Sequence, residues 1–185
     1  MSKTHYINTP LNDDTIAKLK VGDRVLISGT VYTARDAAHK LMVESLKQGK
    51  PLPFDIAGQI LYYTGPAPAP PGKPIGSAGP TTSYRMDAYT PILLNAGLKG
   101  MIGKGDRSKK VRDAIKKNKA IYFITIGGAA VYIAKSIKES KVIAYPELGA
   151  EAVYLLEVKE FPAIVGIDMY GGDIYEIGPL KYRMP

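Results

Sequence analysis

Two short stretches concentrate the residue types that could do chemistry. Gly79-Pro80-Thr81-Thr82-Ser83-Tyr84-Arg85-Met86-Asp87 holds neighbouring hydroxyls and a guanidinium, and Gly103-Lys104-Gly105-Asp106-Arg107-Ser108 follows it. Gly and Pro bound both stretches as turns between strongly patterned segments, and such turns aim side chains and backbone N–H groups at a ligand rather than into a core. Arg85 follows Thr81 by four residues, one turn further along the same helical face. A planar Arg fork can hold a carboxylate in two parallel bonds. Lys104 stands between two glycines, which let the backbone and the ammonium approach a ligand closely. The spacing is not that of a phosphate-binding loop, because no Gly-Lys-Ser/Thr is placed as that loop requires. Fixed cations with hydroxyls and no His beside them suit a small anion bearing more than one carboxylate. The competing structural readings are a surface pair of Arg85 with Asp87 or a glutamate, and of Arg107 with Asp106.

Further candidates sit where turns open helices: Thr33-Ala34-Arg35-Asp36, Pro80-Thr81-Thr82-Ser83 and Gly127-Gly128-Ala129. Helix N-termini offer unpaired N–H groups and a positive dipole end to anions. Arg35 in a first helical turn opposes that dipole, which points to an anionic ligand or to a partner such as Asp36. His39, mid-helix beside Lys40, is a candidate ligand contact, and Asp168, ending an apolar strand, a candidate catalytic carboxylate. Lys109, Lys110, Arg112, Lys116, Lys117 and Lys119 read as a solvated helix face. Tyr62, Tyr63, Tyr122 and Tyr154 lie in apolar strands and read as core rather than as stacking platforms for bases.

The elements that must position these residues follow from periodicity. Strands are predicted at Ile7–Pro10, Val25–Val31, Ile56–Thr64, Gly100–Gly103, Ala120–Ile126, Val142–Ala144, Ala152–Lys159 and Ala163–Met169. Thr33, with Asp36 three residues on, predicts a capped helix that Gly49 ends before Pro51. Gly79–Met86 reads as a turn entering a helix, and Thr90-Pro91 as a cap and first residue restarting helix through Asn95. Ser108–Asn118 is a basic helix with Val111, Ala114 and Ile115 inward, and a further helix runs from Ala129 to about Lys138. The Pro-rich stretch from Gly65 to Pro74 is an extended surface crossover within one domain, and Gly171-Gly172-Asp173 a hairpin turn. Strand–turn–helix alternation in the middle, with more β structure at both ends, predicts an α/β fold with a partly parallel sheet.

The chain has 185 residues, 45% of them hydrophobic, enough for one domain with a substantial core spanning residues 1–185. It has no apolar run that would span a bilayer and no secretory-type N-terminus, so a cytoplasmic protein is expected. There is no Cys, which excludes from this chain disulfides, thiolate nucleophiles and any metal site or iron–sulfur cluster built on Cys, and His5 and His39 are far apart. Metal chemistry would need another chain. The net charge of +8 fits anionic substrates, acidic partners or nucleic acid, or simply a Lys-rich soluble surface.

At Gly79-Pro80-Thr81-Thr82-Ser83-Tyr84-Arg85-Met86-Asp87 the chain resembles the Gly-Pro-Thr-Thr-x-x-Arg-Met-Asp signature of the class I fumarases. More narrowly it is similar to the β subunit of the two-subunit fumarase and tartrate dehydratase family, the equivalent of the C-terminal domain of the single-chain enzymes. The likeness continues through Gly29-Thr30, Ala34-Arg35-Asp36-Ala37-Ala38-His39-Lys40, Lys104-Gly105-Asp106-Arg107, Ile126-Gly127-Gly128-Ala129-Ala130 and Phe161-Pro162-Ala163, in order over nearly the whole chain. The resemblance implies a swivelling β/β/α domain with mixed sheets and helices that supplies half of an active site. The other half, on an α subunit in an α2β2 heterotetramer, would carry a [4Fe-4S] cluster, and the reaction would be reversible dehydration of (S)-malate to fumarate. By motif, Thr81 matches the proposed catalytic base, acting with an aspartate of the other subunit. Arg85, Lys104 and Arg35 match ligands of the C4 dicarboxylate. Thr82, His39, Arg107, Gly127 and Gly128 are secondary candidates. Ser83-Tyr84 departs from the small pair common in single-chain enzymes. L(+)-tartrate dehydratase is the alternative within the family, and a basic nucleic-acid-binding module, resting on charge and Tyr content, is a remote one with no recognised motif behind it.

Overall fold

In chain order, the computed structural model, which describes residues 3–182, has β1 (Thr4–Asn8), α1 (Asp13–Ala17), β2 (Arg24–Thr33), α2 (Asp36–Lys47) and β3 (Ile60–Tyr62). A long irregular crossover follows, containing a 3₁₀ turn (Ser83–Met86), and leads to α3 (Thr90–Asn95), β4 (Gly100–Gly103), α4 (Lys109–Lys117) and β5 (Ile121–Ile124). The chain then forms α5 (Ala130–Ala134), β6 (Ile137–Ala144), a second 3₁₀ turn (Pro146–Glu151), β7 (Val153–Ile167) and α6 (Ile174–Tyr182). The architecture is α/β, as the alternation predicts. No helix among the described residues is long and apolar enough to cross a membrane.

All seven strands belong to one mixed sheet. β1 to β5 run parallel and pair in sequence order. β7, 15 residues long, lies antiparallel to β5 along one part of its length and to β2 along another, while β6 pairs on its far side. The pairings β2–β3–β4–β5–β7–β2 therefore close into a ring, which leaves those strands without a free edge. Ile27, Val31, Ile60, Tyr62, Ile102, Phe123 and Phe161 pack on one side of the sheet. Leu61, Tyr63, Met101 and Tyr122 face the other way and pack with Ala38 and Met42 of α2 and Val111 and Ile115 of α4. The alternation of neighbours Ile60, Leu61, Tyr62 and Tyr63 between the two groups is the period-2 geometry of a strand buried on both faces.

Several elements differ from expectation. Thr33 is not a helix cap but the last residue of β2, where its Oγ1 accepts the Tyr154 N–H at 3.0 Å; Arg35 occupies the cap position of α2. The strand expected from Ile56 is shortened to Ile60–Tyr62, because Gly58 turns the chain with φ 74°. The helix expected to reach Lys138 stops at Ala134, and β6 starts at Ile137. The two strands expected on either side of Phe161-Pro162 are one strand. The β2–β7 register shifts between Ile27 and Gly29, and Glu160 takes φ 52°, so a bulge absorbs the irregularity beside the proline. Gly171-Gly172-Asp173 closes a tight turn with a single antiparallel bridge from Ile167 to Asp173, but instead of a second strand it leads into α6, where the Asp173 carboxylate accepts the Tyr175 N–H at 2.9 Å.

The parallel run sets the position of the site. β2, β3, β4 and β5 all end at the same edge of the sheet, and the segments carrying Arg35, Thr81, Lys104 and Gly127 emerge from those ends in turn. Ligands of parallel α/β sheets bind at that carboxyl edge.

Candidate active site

The Thr81–Arg85 turn is fastened at both ends. Tyr62 donates its hydroxyl to the Ala78 carbonyl at 2.6 Å and Thr64 to the Gly79 carbonyl at 2.7 Å. The Thr81 N–H reaches the Tyr63 carbonyl at 2.7 Å, just past β3. Thr82 then bridges to Lys104 at the end of β4. Buried Ser83 gives its N–H to the Lys104 carbonyl at 2.9 Å and accepts the Lys104 N–H on Oγ at 3.1 Å. Tyr122 Oη lies 2.8 Å from both Ser83 Oγ and the Gly105 carbonyl. Burial raises the Tyr122 phenol's pKa, so it stays a protonated donor. The departure Ser83-Tyr84 thus splits into a buried fastener and an exposed ring.

Thr81 and Arg85 meet as the four-residue spacing predicts, with Nη1 3.5 Å from Thr81 Oγ1. The helix is a 3₁₀ turn beginning at Ser83 rather than an α-helix through Thr81. Behind the guanidinium, Asp36 holds Nε and Nη2 with its two carboxylate oxygens, each at 2.9 Å. Nη1 is left toward Thr81. Arg35 contacts Glu151 Oε1 through Nη2 at 3.3 Å, with Asp36 Oδ2 3.6 Å from its Nε. Glu151 also accepts the Ala37 N–H at 2.9 Å, which satisfies a first-turn donor of α2. Arg35, Asp36, Arg85 and Thr81 thus form one connected group closed by Glu151. Arg35 at a helix start is offset by these carboxylates, one of them the Asp36 the sequence points to.

Lys104 is exposed and has no ion pair among the described residues. Its ammonium would stand 3.7 Å from a Cβ built on Gly127, ordinary van der Waals contact, so that glycine lies directly beside it. Gly128, with φ 83°, turns this loop into α5. The loop is anchored by the Ala78 N–H on the Ala130 carbonyl at 3.3 Å. Gly127 therefore lies beside Lys104, Gly128 turns the loop without touching it, and Thr82 serves by its backbone.

Three candidates are placed otherwise. Arg107 is buried, its side chain 0% exposed. Its Nε meets Asp87 Oδ1 at 2.7 Å, its Nη2 meets Thr90 Oγ1 at 2.8 Å, and its guanidinium lies over the Tyr63 and Tyr122 rings. It is a structural cation tying the 3₁₀ turn and α3 to the sheet, paired with Asp87 rather than Asp106. His39 is fully buried, with Nδ1 3.0 Å from the Arg35 carbonyl and its ring edge-on to Tyr63. The carbonyl can only accept, so Nδ1 carries the hydrogen. Nε2 has no partner among the described residues, and burial pulls the pKa down to about 4. His39 supports the Arg35 peptide from beneath and touches no open space. Asp168 accepts N–H bonds from Val21, Tyr170 and Gly172 at 2.9–3.0 Å, so it organises turns and is no catalytic carboxylate. The expected core tyrosines Tyr62, Tyr63 and Tyr122 are buried and Tyr154 is half-buried.

The roles of Asp36 toward Arg85 and of Glu151 and Ser83 were not apparent from sequence. Asp36 and Ser83 sit inside the quoted motifs, but Glu151 carries no local signal.

The family model described as the fumarase C-terminus matches residues 2–178. The chain is 44% identical over 162 residues to fumarate hydratase 2 of Leishmania major, covering 86% of this chain and 28% of that protein. It is 41% identical over 174 residues to the anaerobic class I fumarate hydratase of Escherichia coli K12, covering 92% of this chain and 32% of that protein. It thus spans about a third of the length of these fumarate hydratases. A protein of Methanocaldococcus jannaschii described as an L(+)-tartrate dehydratase subunit beta is 38% identical over 181 residues, covering 92% of this chain and 91% of that protein.

Proposed function

The chain belongs to the fumarase C-terminus family, and from that premise we propose that it is the β subunit of a two-subunit class I fumarate hydratase, a hydro-lyase that interconverts (S)-malate and fumarate. The observation that carries the reading is the convergence of Arg35, Thr81, Arg85 and Lys104 at the carboxyl edge of three adjacent parallel strands, β2, β3 and β4.

In this reading Lys104 and the Nη1 side of Arg85 bind the two carboxylates of the substrate. Arg35 adds positive potential, and Asp36 and Glu151 fix the two guanidiniums. Cations fixed before the substrate arrives need little reorganisation as charge develops on it. Thr81 Oγ1 stands beside Arg85 Nη1, where it gives its own proton to a carboxylate of the partner and takes in its place the proton leaving the carbon next to the hydroxyl-bearing one. A threonine hydroxyl is too weakly acidic to act alone, and the cation beside it favours its deprotonated form.

Departure of the substrate hydroxyl needs an electrophile, and the donor set of this chain does not fit one: it has no Cys, and no three His, Asp or Glu among the described residues are grouped to hold a metal. We assign a [4Fe-4S] cluster to the partner α subunit, in a cytoplasmic assembly with two copies of each chain. The archaeal relative that matches over nearly its whole length favours one second reading, the β subunit of L(+)-tartrate dehydratase. Anaerobic co-expression with the partner, followed by competition among malate, fumarate and tartrate, tests both. Preference for malate and fumarate supports the first, preference for tartrate supports the second, and turnover of none of them overturns both.

A further inference from the structure

Lys104 carries its charge on a flexible four-carbon stem, so the only rigid part of this ligand is its backbone root. Four hydrogen bonds reach the Lys104–Gly105 turn. Ser83 takes the Lys104 N–H at 3.1 Å and gives its own N–H to the Lys104 carbonyl at 2.9 Å. Tyr122 Oη lies 2.8 Å from the Gly105 carbonyl. The fourth bond comes from the other end of the chain, where the Gly105 N–H donates to Tyr175 Oη at 3.0 Å. Gly105 takes φ 84°, which glycine adopts without steric cost, so the backbone is free to turn here and the hydrogen bonds decide where the turn lies.

We propose that Tyr175 is a positioning residue for Lys104, its hydroxyl completing from α6 the clamp that Ser83 and Tyr122 begin from within. α6 is itself secured for this. Asp173 caps it through the Tyr175 N–H, and Arg112 of α4 pairs with Asp173 at 3.2 Å and with Glu176. Tyr175 lines a groove beside β5 together with Ile124, Thr125 and Pro162 and stays partly exposed, and its oxygen is the atom that reaches the turn. Burial, with Asp106 and Asp173 nearby, pushes its phenol up, so the oxygen remains a neutral acceptor at working pH. The inference rests on the proposed substrate-binding role of Lys104.

The test compares Tyr175→Phe, Lys104→Ala and the control Tyr154→Phe, whose hydroxyl instead meets the Gly149 carbonyl. Amide exchange at Gly105, read by NMR on the isolated chain, should speed up by about tenfold in Tyr175→Phe, the size of one lost hydrogen bond. In the assembled enzyme the same variant should raise KM for the dicarboxylate by about tenfold while kcat stays within about twofold, the pattern of lost binding rather than lost chemistry. Tyr154→Phe should change neither. Unchanged Gly105 exchange, or unchanged KM in Tyr175→Phe beside a raised KM in Lys104→Ala, overturns the positioning role and leaves the functional reading standing. Unchanged KM in Lys104→Ala overturns the reading of Lys104, and the role of Tyr175 with it.

Discussion

Arg85 and Arg107 carry the same group in opposite settings, and their substitutions should separate function from stability. Arg85 and Asp36 are 41% and 31% exposed, so their pair contributes at most about 1 kcal/mol to folding. Arg85→Ala should leave the unfolding transition nearly in place while kcat/KM of the assembled enzyme falls by about 100-fold or more, as expected when a preorganised charge is removed. Arg107→Met should do the reverse. It takes the cation from Asp87, 14% exposed, and leaves that carboxylate only the Ser108 N–H, so chemical denaturation should report a loss of about 3 kcal/mol. His39 makes a pH prediction. Its folded pKa of about 4 lies below the ordinary 6.5, so the unfolded chain binds more protons between these values. Stability from this residue is complete above about pH 6.5 and is lost as pH falls toward 4, a change of about 3 kcal/mol. Urea titrations of the wild type and His39→Asn across that window should show a flatter profile for the variant. At this scale the sequence picks out Thr81, Arg85, Lys104 and Arg35 as turn residues, which is where the fold places them, because turn chemistry is local. It misleads at Arg107, His39 and Asp168, because burial of a single polar residue depends on what folds over it. Glu151 meets Arg35 only once the sheet has closed.

Elements with a local start and stop are the ones the sequence reveals best. β4 falls on its predicted residues, and α4 begins after Ser108, whose Oγ accepts the Val111 N–H. α1 and α6 carry comparable start signals: Asn12, which accepts the Thr15 N–H, and Asp173 three residues before Glu176. β7 could not be read as one strand, because Phe161-Pro162 looks like a break until the bulge opposite β2 accommodates it. The junction of β4 with the 3₁₀ turn is tighter than the sequence shows. A Cβ on Gly103 would collide with Ser83 Oγ and reach the Tyr63 ring at 3.0 Å. Gly103→Ala should therefore cost about 1–3 kcal/mol of stability, the usual range for overpacking, and shift Lys104. Differential scanning calorimetry and KM for the dicarboxylate would read the two effects together.

For the molecule as a whole, ring closure through β7 links the start of β2 to the end of β5 and leaves the ends of β2 to β5 as a shared platform. The alternation of segments predicts the class, but not the closure, since a strand that pairs with both β2 and β5 carries no periodic mark of doing so. The platform offers cations and a hydroxyl and no electrophile, so the isolated chain should be inactive and should gain activity only with its partner. The central claim, that this chain brings the proton-handling hydroxyl to a shared site, is tested most directly by kcat of the assembled, cluster-loaded enzyme with Thr81→Ala and Thr81→Ser. Thr81→Ala should lose about 1,000-fold in kcat, within the span typical of acid–base groups, while Thr81→Ser should stay within about tenfold of the wild type. Wild-type turnover by Thr81→Ala would contradict that claim.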